Sequence, residues 1–171
     1  MIRWSGYPFF EKELKHQTHN SEIQVKRIYA IEEVCIGCHL CEIHCQVEHS
    51  RSRNIIKTFK DEVPPPSRIT VEEDGPVSFA LQCRHCPEPY CAYACIAGAI
   101  YQDEKTGEVI QDSDKCIGCW TCVLSCTKGA VRTDTRGPGK AAKCDLCPDR
   151  ETPACIEMCP NDALYLKEEE F

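Results

Sequence analysis

Cys35–Ile36–Gly37–Cys38–His39–Leu40–Cys41–Glu42–Ile43–His44–Cys45 returns later in the chain as Cys116–Ile117–Gly118–Cys119–Trp120–Thr121–Cys122–Val123–Leu124–Ser125–Cys126. Both stretches read C-x2-C-x2-C-x3-C, and both open on Cys–Ile–Gly–Cys. Two further groups keep the same frame with a longer middle. Cys83, Cys86, Cys91 and Cys95 enclose Pro87–Glu88–Pro89–Tyr90, and Cys144, Cys147, Cys155 and Cys159 enclose Pro148 to Ala154. The four groups use all sixteen cysteines of the 171-residue chain. A recurring unit of this kind is read as an internal repeat before anything else.

The spacing has a chemical reason. A cubane 4Fe–4S cluster needs four thiolates converging on its corners, and a C-x2-C-x2-C loop supplies three. The fourth Cys, three residues on, starts a short helix that leads away, so it ligates the other cluster of a pair. Gly37 and Gly118 allow the backbone to wrap closely. Taken alone, the second and fourth groups also suit a four-Cys zinc site. Four groups at four ligands each give four clusters, with all sixteen cysteines as iron ligands.

Composition narrows the setting. Such cysteine density in a short secreted chain would suggest a disulfide scaffold. Met1 to Asn20 carries no apolar signal core and no twin arginine, so the expectation is a cytoplasmic protein whose reduced thiols bind metal. No run approaches the ~18 to 20 apolar residues of a membrane span. A net charge of −7 and the lack of a basic stripe argue against nucleic acid. The run Lys167–Glu168–Glu169–Glu170–Phe171 reads as a solvated end.

Between the second and third groups, Gly98 to Asp103 and Glu108 to Asp112 flank Glu104–Lys105–Thr106–Gly107, a hairpin pattern. Residues 83–126 therefore form an inner two-cluster module. Lys26 to Ile31 leads into the first group, and Ala163 to Leu166 follows the fourth. If these strands pair, residues 25–45 and 127–171 make an outer module nested around the inner one. The alternative is a tandem order, one with two and three with four; nesting is preferred. Residues 46–82 are an insertion in which Pro64–Pro65–Pro66 breaks any helix, and Asp74–Gly75–Pro76 suggests a second hairpin. Residues 1–24, with Trp4, Tyr7, Phe9 and Phe10, are too short for a core and suit docking to a partner. The fold class is α+β: two nested ferredoxin-like two-cluster modules of short hairpins and helices.

Other motifs are weaker. His39, His44 and His85 lie within or beside cysteine groups, but no Cys is missing for a Rieske-type centre, so they are expected to hydrogen-bond to sulfur or face solvent. Trp120 is expected to shield a cluster from water. Gly137–Pro138–Gly139–Lys140 lacks the full phosphate-loop pattern and reads as a turn. No catalytic constellation is visible.

The order of the four motifs, together with Lys143–Cys144–Asp145–Leu146–Cys147 and Thr152–Pro153–Ala154–Cys155, resembles the polyferredoxin electron-transfer subunits of molybdenum or tungsten pterin oxidoreductases, carbon monoxide dehydrogenases and hydrogenase complexes. The resemblance covers residues 26–166. It implies nested ligation: Cys35, Cys38, Cys41 with Cys159; Cys144, Cys147, Cys155 with Cys45; Cys83, Cys86, Cys91 with Cys126; Cys116, Cys119, Cys122 with Cys95. It further implies a non-catalytic subunit that relays single electrons to or from a catalytic subunit, a tungsten or molybdenum pterin enzyme by preference, and a further electron carrier. The competing reading is a structural zinc-binding interaction module. Of the four positions where a Pro commonly follows the last Cys, only Pro160 conforms; Gln46, Ile96 and Thr127 hold the others.

Overall fold

The structure, a computed structural model, describes residues 24–60 and 63–170. The expected docking segment 1–24 lies outside them but for Gln24. Among the described residues, eight strands make four two-stranded antiparallel sheets, with short helices between. The chain runs β1 (Gln24–Ala30), a 3-10 turn at Glu32–Val34, α1 (Leu40–Glu48), α2 (Ile55–Thr58), β2 (Ile69–Asp74), β3 (Val77–Gln82) and α3 (Tyr90–Tyr93). It continues through β4 (Ile100–Gln102), β5 (Val109–Gln111), α4 (Thr121–Ser125), β6 (Arg132–Asp134), β7 (Lys140–Ala142), α5 (Ala154–Glu157) and β8 (Leu164–Glu170). The fold is small and mixed, in keeping with a ferredoxin-like class.

Three sheets are local hairpins: β2 with β3, β4 with β5, and β6 with β7. The fourth joins the ends of the described chain, β1 against β8, from Gln24↔Glu170 to Ala30↔Leu164. Val25 and Ile28 are fully buried, and Leu164 is buried opposite Ala30. Cross-strand partners Tyr29 and Tyr165 stack with ring centroids 5.7 Å apart, a pairing that adds a few tenths to about 1 kcal/mol. Of the segment expected as a solvated end, Lys167 to Glu170 belong to β8, with Lys167, Glu168 and Glu170 exposed, and Phe171 lies outside the described residues. Glu169 accepts a hydrogen bond from the Tyr29 hydroxyl (2.7 Å) and pairs with Arg27. The ordering force is that pairing, which short-range sequence could not show.

The Gly137–Lys140 turn joins β6 to β7, a hairpin not anticipated from the sequence. Buried apolar side chains form two cores. One gathers Ile28, Ile69, Val71, Leu146 and Leu164 with Cys41, Cys45, Cys83, Cys144 and Cys155. The other gathers Ile100, Val109, Val131 and Ala141 with Cys122. Cysteines occupy much of both cores, which explains how so modest an aliphatic content organises the described residues.

Candidate metal centres

Each cysteine loop turns through a left-handed residue at the same place, one before its second Cys. These are Gly37 (φ 63°), His85 (φ 42°), Gly118 (φ 72°) and Leu146 (φ 59°). The glycines are needed for space as well as for φ. A Cβ on Gly118 would collide with the Gly139 carbonyl oxygen in the β6–β7 turn, and one on Gly37 would meet Glu73 and Ser78 of the β2–β3 hairpin. In the second and fourth loops, buried His85 and Leu146 side chains fill the interior instead.

The last Cys of three groups begins a shared exit. Three residues on stands a left-handed residue: Gly98 (φ 60°), Gly129 (φ 60°) or Asp162 (φ 50°). The next amide turns back to the sulfur, Ala99 to Cys95 Sγ (3.2 Å), Ala130 to Cys126 Sγ (3.3 Å) and Ala163 to Cys159 Sγ (3.2 Å). The missing prolines at Ile96 and Thr127 are thus tolerated, because the turn residues perform the reversal. At Gln46 the missing proline matters: α1 continues through Glu48. Cys45 Sγ instead accepts from the Arg68 amide (3.2 Å), in the insertion.

The structure brings the cysteines together in fours. Cys83, Cys86, Cys91 and Cys126 line one cavity. Cys35, Cys38, Cys41 and Cys159 line a second. Cys45, Cys144, Cys147 and Cys155 line a third. Cys122, the buried member of the third group, has Cys116, Cys95 and Cys119 as its electrostatic neighbours. Burial pushes the Cys41 thiol up to about 12 and the Cys91 and Cys147 thiols up to about 11. Cys144 and Cys155 are likewise raised, by burial first and then by neighbouring cysteines. Only thiolates ligate metal, so converging thiols that burial keeps protonated need a cation to replace their protons. With backbone amides already aimed at sulfur, this donor set fits an iron–sulfur cubane.

A charged network borders the third cavity. His49 contacts Cys45 Sγ (3.7 Å) and Asp145 (3.1 Å), and Arg68 pairs with Asp145. Burial works against a charge on His49, but Asp145 and Cys45 raise its pKa to about 9. Burial alone would raise Asp145; His49 and Arg68 hold it well below the usual carboxylate range.

The histidine expectation needs correction at His85. His39 is half-exposed and pairs with Glu42 (2.9 Å). His85 is 1% exposed and neither faces solvent nor bonds to sulfur; its Nδ1 accepts the Val109 amide at 3.1 Å. Trp120 is 40% exposed, with its ring against Gly139. Sequence reasoning missed Arg68, His49 and the buried Lys143. It also missed Ala99, Ala130 and Ala163, although each lies four residues after a Cys and directly behind Gly or Asp, a legible pattern. Among the described residues no helix is long and apolar enough to cross a membrane.

Comparisons with known proteins agree with this chemistry. A family described as a 4Fe–4S dicluster domain matches residues 77–169. The electron transport protein HydN of Escherichia coli (strain K12) is 38% identical over 152 residues, covering 80% of this chain and 85% of its own. The polyferredoxin-like subunit of an aliphatic sulfonate oxidoreductase from Pyrococcus furiosus is 38% identical over 143 residues, covering 82% of this chain and 75% of its own. Among solved structures, the BamBC active site complex of benzoyl coenzyme A reductase aligns with TM-score 0.49 and 20% identity, over 88% of this chain and 81% of that one. The cysteine spacing, the thiol-lined cavities and the matched family together make the chain a member of the 4Fe–4S dicluster family, an iron–sulfur electron-transfer protein.

Proposed function

We propose that the chain carries four 4Fe–4S clusters and relays single electrons between a catalytic oxidoreductase subunit and a further carrier. The sixteen cysteines are the iron ligands, in the nested sets Cys35, Cys38, Cys41 and Cys159; Cys45, Cys144, Cys147 and Cys155; Cys83, Cys86, Cys91 and Cys126; Cys95, Cys116, Cys119 and Cys122. The observation that carries this reading is the exchange of last cysteines. Cys159 lines a cavity with the first group, and Cys45 lines one with the fourth. The same exchange takes Cys126 to the second group. The β1–β8 pairing supports an outer module, residues 25–45 plus 127–171, around an inner one, residues 83–126, with 46–82 inserted.

The clusters, when bound, supply one-electron carriers. The chain's own residues hold the sulfurs, exclude water and present amide dipoles to the sulfurs. One electron enters, one leaves, and no substrate bond changes in this chain, which has no catalytic site of its own. The partner favoured is a tungsten or molybdenum pterin enzyme, by analogy with the polyferredoxin-type subunits; the oxidoreductase subunit of Pyrococcus furiosus supports the general arrangement. Residues 1–24 serve as the docking segment, and the compartment is cytoplasmic.

The test is iron and acid-labile sulfide analysis of chain purified without oxygen, with EPR after dithionite reduction. About sixteen iron and sixteen sulfide are expected, at four of each per cluster, with magnetically coupled spectra. Zinc in their place would overturn the reading and make the chain a structural module.

A further inference from the structure

Lys143 is one of the most deeply buried side chains in the protein, at 2% exposure. Its ammonium donates to two backbone carbonyls, those of Val109 and Cys144 (the latter at 2.8 Å). These carbonyls belong to different sites. Val109 lines the cavity of Cys83, Cys86, Cys91 and Cys126; Cys144 lines that of Cys45, Cys147 and Cys155. The two sites adjoin here, since Cys83 and Cys144 share one buried core and Cys83 is among the groups that raise the Cys144 thiol.

An ammonium buried in an apolar interior carries a heavy desolvation cost unless an opposite charge offsets it. Among the described residues Lys143 makes no ion pair with a carboxylate, and both of its hydrogen bonds go to neutral carbonyls. Glu108 makes no ion pair with the ammonium and acts on it only at longer range; the charge that adjoins it is the negative charge of thiolate-ligated iron on either side. That charge grows by one unit when a cluster takes an electron, and low dielectric makes the attraction strong.

Resting on the cluster assignment above, we propose that Lys143 is a positioning residue for electron transfer: its buried ammonium stabilises the reduced state of the two clusters at the Cys83–Cys144 junction, where electrons cross between the inner and outer pairs. The electron is supplied by the redox partner and passes on to the carrier.

The experiment is a potentiometric EPR titration of the full chain, purified without oxygen, in Lys143→Met, Lys143→Gln and Lys143→Arg, with iron analysis on each. Met removes the charge, Gln keeps a hydrogen-bond donor, and Arg keeps the charge. The expected result is full iron content throughout, two of the four midpoint potentials moved to more negative values in Met and Gln, and a return towards wild type in Arg. Four unmoved potentials, or four moved alike, would overturn the role. So would loss of iron from both neutral variants with Arg fully loaded, which would make the charge a scaffold. A wild-type chain short of iron overturns the cluster assignment and this inference with it; a fully loaded wild type with unmoved potentials overturns this inference alone.

Discussion

The first cysteine group and the other three leave their last Cys by different routes. After Cys95, Cys126 and Cys159 the chain reverses within three residues and returns an alanine amide to the sulfur. After Cys45 it remains helical to Glu48, and the amide comes from Arg68 across an insertion. The sulfur receives a backbone N–H in every case. The requirement is therefore set by the sulfur, whose buried negative charge needs a donor, and the local sequence is only one way of meeting it.

The largest effects should come from breaking the distant donor. Arg68→Ala keeps the amide and removes a guanidinium paired with Asp145; Arg68→Pro removes both. Hydrogen bonds to charged groups contribute about 1.5–3 kcal/mol. Both variants should lower the midpoint potential of the Cys45 cluster, Arg68→Pro by more, and the step between them isolates the amide. Potentiometric EPR reads this; equal shifts would deny the amide a role.

Next come the loop glycines. Gly118→Ala drives a methyl into the Gly139 carbonyl and keeps a left-handed φ. It should cost about 2 kcal/mol, overpacking added to strain. Gly98→Ala in an exit turn has open space and should cost only the strain, ~1 kcal/mol. Anaerobic thermal bleaching of the cluster absorbance should rank them in that order.

The smallest effects concern the chain ends. Hydrogen bonds from Tyr29 first, then from Lys167 and Arg27, lower the pKa of Glu169 to about 2. A carboxylate whose folded pKa is depressed contributes stability above its unfolded value, lost as pH falls through the folded one. Glu169→Gln should therefore lower the bleaching temperature by a small amount that stays constant from about pH 7 to pH 5 and shrinks only towards acid. A difference that grows as pH falls over that range would contradict the assignment.

The same contrast explains what the sequence made legible. The loops, the β4–β5 hairpin and the β2–β3 hairpin were readable because each is a short-range pattern: cysteine spacing, alternating strands, Gly at the turn. The strand pairing at the chain ends was open to inference only from the mirrored placement of Lys26–Ile31 and Ala163–Leu166. Arg68, His49 and Lys143 could not be found that way. Each acts on a partner chosen by folding, with Arg68 lying twenty-three residues from the sulfur it serves. His85 was misread because a histidine beside cysteines invites a surface or sulfur role, whereas its place in the loop points the ring inward against Val109.

The pairing of β1 with β8 carries a consequence for synthesis. A ribosome that has passed Cys126 has already made every cysteine lining the cavity of Cys83, Cys86 and Cys91. The cavity of Cys35, Cys38 and Cys41 must wait for Cys159, and its covering sheet for Leu164 to Glu170. On the proposed nested ligation, half of the metal sites can be completed on the nascent chain before the other half, which wait for Cys155 and Cys159. Until then the earliest thiols are exposed to oxidants and to the wrong metals, and the hand-over of iron is timed by the C-terminal strand.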